Sequence, residues 1–191
     1  MTSTANPPIV GQAASSRYSA VAMAFHWLLA FMVIASFTFG LYMVDLPFSP
    51  ARLKQYNWHK WAGITILALS AARLLWRLTH RPPALNIAMS AWQKRASQAV
   101  HILLYGLFFA APLAGWAYSS AAGFPVVYLG LVPLPDLVGR NLELAGVLKL
   151  VHRTLVYSLA ALACLHMLAA LKHQFFDRDG LLDRINPLAR N

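Results

Sequence analysis

Four apolar stretches, each of roughly 20 residues, divide this chain and constrain its fold more than any other feature. About 20 apolar residues in a helix cross the hydrocarbon core of a bilayer. Since a chain in lipid must satisfy its own backbone hydrogen bonds, each stretch is predicted to be a transmembrane helix. The predicted helices cover about 20–44, 57–79, 97–120 and 148–173. We therefore predict an all-α integral membrane protein built as a four-helix transmembrane bundle.

The charge pattern supports a membrane protein and argues against a nucleic-acid partner. Only 12% of the residues are charged, whereas a soluble domain carries about 25%. The formal net charge of +10 would suggest nucleic acid in a soluble protein. Here the basic residues flank the apolar stretches instead, where they set topology and contact the headgroups of membrane lipid.

The distribution of Lys and Arg predicts the orientation of the bundle. An even number of helices returns both termini to one face, and that face receives ten of the 16 basic residues. Because cytoplasmic loops carry the excess of Lys and Arg, both termini are predicted to be cytoplasmic.

The segments outside the helices are predicted as tails and surface connections. Residues 1–16 are polar and read as a disordered tail, residues 17–176 as the bundle, and residues 177–191 as a cytoplasmic C-terminal tail. A short interfacial helix is predicted around Trp92. The connection 121–147 is apolar but interrupted by three prolines, which favours a cap lying in the membrane interface over a re-entrant segment.

Five histidines fall within or at the ends of the apolar stretches, where an ionisable side chain is costly and usually functional. His26 and His166 share a depth near the cytoplasmic face, and His59 and His152 share a depth near the outer face. His152 and His166 are 14 residues apart, which places them on one stripe of a helix about 21 Å apart.

This pattern predicts two non-covalent b-type haems, each held by two axial imidazoles from different helices. His26 and His166 would bind the inner haem iron, and His59 and His152 the outer one. Cys164 is the only cysteine, which excludes C-x-x-C-H attachment of c-type haem. Zinc would need three or four ligands at one depth. The simpler alternative is that each histidine is a hydrogen-bonded core residue.

Basic residues near these depths are candidates for the haem propionates. Arg73 lies 14 residues after His59 and is the first candidate at the inner depth, followed by Arg17 and Arg77. Lys60 and Arg153 adjoin the outer ligands and would meet either the outer haem or lipid headgroups.

Two further histidines, His173 and His101, are candidates for a quinone site. His173 lies seven residues after His166 and on the same helix face, and His101 opens the third helix at that end. Either can be an ordinary surface histidine. A quinone takes up protons with its electrons, so a group that titrates near neutrality would serve it.

The chain resembles the bacterial cytochrome b561 family of small di-haem membrane cytochromes over residues 17–188. The resemblance is carried by the order and spacing of RYSAVAMAFHWL, NWHKWAGI, AARLLWRLTHRPP, ASQAVHILLYGLFFAAPLAGW, KLVHRTL and CLHMLAALKHQFFDRDGLLDRI. It implies a bacterial inner-membrane protein whose haem ligands are His26, His59, His152 and His166. It also implies a role in quinone and proton handling for His173.

A characterised member of that family oxidises superoxide to dioxygen at the outer face and passes the electrons to ubiquinone. The resemblance therefore implies a superoxide:ubiquinone oxidoreductase, and a basic outer rim of Arg52, Lys60, Lys149 and Arg153 would attract the superoxide anion. The alternative is a membrane-anchor cytochrome b subunit that passes electrons from a partner dehydrogenase or hydrogenase to quinone. A non-redox transporter or scaffold is the third possibility, and a membrane oligomer is compatible with each.

Overall fold

The computed structural model describes residues 17–80, 82–83 and 90–188, and four long helices make up most of them. The helices are α1 (Ala20–Val44), α2 (Pro50–Thr79), α3 (Ala91–Ala121) and α4 (Leu142–Lys172). A π-helical turn, His173–Asp177, extends α4, and a 3-10 turn follows at Leu182–Arg184. All four helices are long and apolar enough to span a membrane, which confirms the predicted all-α membrane fold. The predicted tail 1–16 lies outside the described residues.

Three helices begin earlier than the apolar pattern predicts, because polar caps start them. The side chains of Ser49, Ser90 and Asn141 accept backbone N–H groups of the first turns of α2, α3 and α4. At Ser90 the side chain of Gln93 completes a capping box. Trp92 therefore belongs to the first turn of α3, and the prediction of a separate interfacial helix there was wrong.

The helices pack unequally around the bundle. α3 packs along α4, α1 along α2 and α2 along α3, whereas α1 and α4 touch only lightly. Leu29 and Leu159 are among the few buried apolar side chains of α1 and α4. Large side chains such as Phe31, Ile102 and Leu168 are exposed and form the surface that faces lipid.

A small hairpin covers the end of the bundle at which α1 ends and α2 begins, which we call the outer end. Strands β1 (Val127–Tyr128) and β2 (Val132–Pro133) pair antiparallel, and the turn between them uses Gly130 at φ +76°. The indole N–H of Trp61 donates to the carbonyl of Val127 at 2.6 Å. The hairpin is thus fastened to the outer part of α2, as expected for a cap.

The same connection is also fastened to the end of α3. Ser119 donates its hydroxyl hydrogen to the carbonyl of Phe124, and the hydroxyl of Ser120 accepts the backbone N–H of Leu137 at 3.2 Å. Val126 is only 1% exposed. These bonds satisfy polar groups at the end of α3 while the connection turns towards α4.

The C-terminal segment folds over the opposite end, which we call the inner end. The backbone N–H of Tyr18 donates to the carbonyl of Arg184 at 3.1 Å, and the indole of Trp27 donates to the carbonyl of Ile185 at 2.9 Å. Arg184 in turn donates to the carbonyl of Pro83 at 3.0 Å. As far as residue 188, the predicted tail 177–191 is therefore a folded segment that joins the beginning of α1 to the α2–α3 connection.

Candidate functional site

Each helix contributes two residues, 14 positions apart, one to each of two layers inside the bundle. Fourteen residues are nearly four turns, so the members of each pair lie on one stripe of their helix about 21 Å apart. The inner layer consists of His26, Arg73, His101 and His166, and the outer layer of Gly40, His59, Gly115 and His152.

The outer layer contains the predicted pair His59 and His152. Their ring centroids are 6.3 Å apart and the ring planes are inclined by 79°. The Nδ1–H of His152 donates to the carbonyl of Ala111 at 2.9 Å, and Nδ1 of His59 lies 3.4 Å from the hydroxyl of Ser36. When Nδ1 of an imidazole donates, its Nε2 carries the lone pair that a metal can use.

The two glycines of the outer layer make room for these imidazoles. A Cβ atom at Gly115 would lie 2.9 Å from Cε1 of His152, and one at Gly40 would lie 3.2 Å from Cε1 of His59. The shorter distance is closer than non-bonded carbon atoms normally approach. The backbones of α1 and α3 therefore approach the two rings at positions where any larger residue would displace them.

The inner layer contains the second predicted pair, His26 and His166. Their ring centroids are also 6.3 Å apart, with the planes inclined by 66°. Arg73 lies beside this pair as predicted, and its guanidinium donates to Nδ1 of His26 at 3.2 Å. The guanidinium groups of Arg73 and Arg77 both lie over the ring of Tyr105, at 5.4 and 5.7 Å from its centroid.

His101 lies in the inner layer rather than at the surface. Its ring centroid is 5.2 Å from that of His166, and its Nδ1–H donates to the carbonyl of Ser97 at 2.7 Å. Because α3 begins at Ala91, His101 is almost three turns inside the helix. The apolar pattern alone had placed it close to the helix start.

The ring separation in each histidine pair is compatible with two imidazoles that would bind one iron ion. Two metal–nitrogen bonds of about 2 Å, with roughly 1 Å from each nitrogen to its ring centre, separate two ring centroids by about 6 Å. Both pairs have this separation. His101 and His166 are too close to bind opposite faces of one metal. Each pair can thus hold one haem iron, with donors from α1 and α4 in the inner layer and from α2 and α4 in the outer layer.

The other predicted basic residues have partners of their own. Lys60 donates to the carbonyls of Phe124 and Pro125 at 3.4 and 3.1 Å, so it helps to hold the outer cap. Arg153 lies over the ring of Tyr157, 5.8 Å from its centroid. Arg17 donates to the carbonyl of Asn186 in the C-terminal segment, which gives it a structural role at the inner end.

His173 lies outside both layers, in a cluster with two carboxylates. Its Nδ1 is 2.6 Å from Oδ2 of Asp179 and 3.1 Å from Oδ2 of Asp177. These three side chains place one potential ligand atom each within 4.8 Å of one another, but Lys172 already bonds both oxygens of Asp177. Sequence reasoning missed Asp179, although the turn-forming sequence Asp-Arg-Asp-Gly that contains it was a signal of chain reversal.

The chain is similar to known proteins over most of its length. The family described as prokaryotic cytochrome b561 matches residues 17–187. Cytochrome b561 homolog 2 of Escherichia coli is 35% identical over 173 residues, which cover 88% of this chain and 90% of the relative. Cytochrome b561 homolog 1 of the same organism is 30% identical, covering 90% and 98%. The probable superoxide oxidase CybB of Yersinia pestis is 29% identical, covering 91% and 98%.

Proposed function

Because the chain belongs to the prokaryotic cytochrome b561 family of electron-transferring membrane cytochromes, we propose that it carries two b-type haems and moves electrons from superoxide to ubiquinone. The observation that carries this proposal is the repeated histidine pair, with the same 6.3 Å separation of ring centroids at two depths. Bound haem supplies one-electron redox chemistry at each depth.

The spacing of the two layers suits transfer across a membrane. The layers are 14 residues apart on α4, which is about 21 Å along the helix axis, while the hydrocarbon core is about 30 Å thick. His59 and His152 thus hold the redox centre near one face, and His26 and His166 hold the centre near the other. With the inner end in the cytoplasm of a bacterial inner membrane, as the Lys and Arg count favours, the outer layer faces the periplasm.

Arg73 and Arg77 are suited to bind propionates in the inner layer. Both guanidinium groups lie beside Tyr105 at the depth of His26. A guanidinium binds a carboxylate through two parallel hydrogen bonds, and it keeps its charge when partly buried. If Nε2 of His26 held the iron, Nδ1 would carry a proton and would no longer accept from Arg73. The Arg73 donor is then available for a carboxylate.

The basic residues at the outer end are suited to attract superoxide. Arg52, Lys60, Lys149 and Arg153 are grouped on the outer turns of α2 and α4, so their summed field favours a small anion. A relative at 29% identity is named a probable superoxide oxidase. One electron leaves superoxide, which becomes dioxygen, and two such electrons with two protons convert a quinone into a quinol.

Stopped-flow spectroscopy of the purified, oxidised protein tests the proposal directly. Mixing with superoxide is expected to produce the absorption bands of reduced haem, and adding ubiquinone is expected to reoxidise them. The control is the same mixture with superoxide dismutase present, which removes the donor. Haem bands that do not respond to superoxide would contradict the proposed donor and favour the anchor subunit, whose electrons come from a partner protein.

Salt is expected to slow the reaction with superoxide. The Debye length falls from about 30 Å at 0.01 M to about 3 Å at 1 M, so the attraction of the outer rim is screened. We expect the second-order rate constant to fall roughly tenfold over this range, the lower end of electrostatic steering effects. Reoxidation by neutral ubiquinone serves as the control and should change little. A superoxide rate that is independent of salt would exclude steering by the rim.

A further inference from the structure

We infer that Asp179 positions His173 as a proton donor at the inner end of the bundle. This inference rests on the proposed function, in which reduction of a quinone to a quinol takes up two protons. The aspartate is a positioning residue, because it acts on the quinone through the imidazole.

The local fold brings the two side chains together from positions six residues apart. α4 ends in the π-helical turn His173–Asp177, and the chain then reverses through Arg178 at φ +48° and Gly180 at φ +70°. Oδ1 of Asp179 accepts the backbone N–H of Leu181 at 3.0 Å. This bond fixes the carboxylate so that its other oxygen, Oδ2, lies 2.6 Å from Nδ1 of His173.

The contact with Asp179 determines which ring nitrogen of His173 is available for proton exchange. An ionised carboxylate only accepts hydrogen bonds, so Nδ1 of His173 must carry a proton towards Asp179. Nε2 is then the nitrogen that exchanges a proton with a bound molecule. The side chains of His173 and Asp179 are only 13% and 17% exposed, so the contact is largely shielded from water and its geometry is well defined.

The contacts around His173 argue against a metal bound by all three side chains. Asp177 and Asp179 both face the ring, and Lys172 bonds both oxygens of Asp177 at 2.6 and 2.8 Å. Lys172 neutralises one carboxylate, which leaves one negative charge to balance protonated His173. A metal ion would have to displace Lys172 from Asp177 before it could use all three side chains.

The proposed step is a proton transfer from Nε2 of protonated His173 to an oxygen of the reduced quinone. The N–H bond breaks, an O–H bond forms, and His173 becomes neutral with Nδ1–H still bonded to Asp179. A proton from water at the inner end then restores the cation. Two such transfers, with one electron from each of two superoxide anions, complete the quinol.

The variant Asp179→Asn tests this assignment. We expect reoxidation of the reduced haems by ubiquinone to slow by about 10- to 100-fold, as when a hydrogen-bonded carboxylate is removed behind a functional histidine. The dependence of this rate on pH should differ from that of the wild type, because His173 loses the carboxylate that its Nδ1 faces. Haem content and reduction by superoxide should stay unchanged. Asp183→Asn is the matched control, since it removes the same charge four residues further along and leaves the His173 cluster intact.

A double variant separates positioning from an effect on folding. If Asp179 acts through His173, then His173→Asn with Asp179→Asn should be no slower than His173→Asn alone. A wild-type rate and pH profile in Asp179→Asn would overturn the inference while leaving the proposed function standing, provided that His173→Asn is slow. If the wild-type haems are not reoxidised by ubiquinone at all, the proposed function and this inference both fail.

Discussion

Replacing His152 with leucine is expected to lower the haem content from two per chain to about one, because the outer iron loses an axial ligand. His59→Leu should give the same result and the same remaining spectrum. His26→Leu should remove the inner haem instead and leave the spectrum of the outer haem. The four single variants, His166→Leu included, are compared with the wild type. Haem extraction measures the haem content of each, and absorption and EPR spectroscopy identify the haem that remains.

The matched control for these variants is His80→Leu. His80 lies at the end of α2, outside both layers, and stacks on Trp76 with ring centroids 3.7 Å apart. Its replacement should leave both haems in place. If one of the four histidine variants keeps two haems with unchanged spectra, the replaced histidine is not a ligand and the pairing must be reassigned.

The variant Gly115→Ala adds one methyl group and is expected to disturb the outer site almost as strongly as the loss of His152. The new Cβ would lie 2.9 Å from Cε1 and 3.0 Å from Nδ1 of His152, so the ring must move away from its bond to Ala111. Overpacking of this kind typically costs about 1–3 kcal/mol, so the affinity for the outer haem should fall roughly 5- to 150-fold. Titration of the purified variant with haem, read at the Soret band, checks this.

Gly106→Ala provides the control for Gly115→Ala within the same helix. Nine residues turn α3 by about two and a half turns, so Gly106 lies on the side opposite Gly115, and no atom lies within 4 Å of a Cβ built there. Its alanine variant should keep both haems. Gly40→Ala should be intermediate, since its Cβ would be 3.2 Å from His59. Equal haem affinity in all three variants would show that the imidazoles are not confined by the glycines.

The sequence is sufficient to predict the four helices and the two histidine pairs, because both depend on periodicity along single helices. A residue's depth follows from its position in an apolar stretch, and its face follows from 100° per residue. His152 and His166 could therefore be matched with His59 and His26 without coordinates. In the structure the ring centroids of each matched pair are 6.3 Å apart. Their role as haem ligands is a proposal.

What could not be predicted depends on contacts between distant parts of the chain. The beginning of α3 is set by the cap at Ser90, and without it His101 was placed close to the helix start. Asp179 reaches His173 only because a π-helical turn and two residues with positive φ reverse the chain. Such a reversal has no apolar periodicity, so the sequence indicated a tail there.

Since α4 contributes one histidine to each layer, neither pair exists until the last helix has been made. A ribosome that has released only α1, α2 and α3 into the membrane presents His26 and His59 without their partners. In the proposed assignment, haem insertion must therefore follow translation of the whole bundle. A prematurely terminated chain could not hold haem between two histidines, so a haem with two histidine ligands would mark a complete chain.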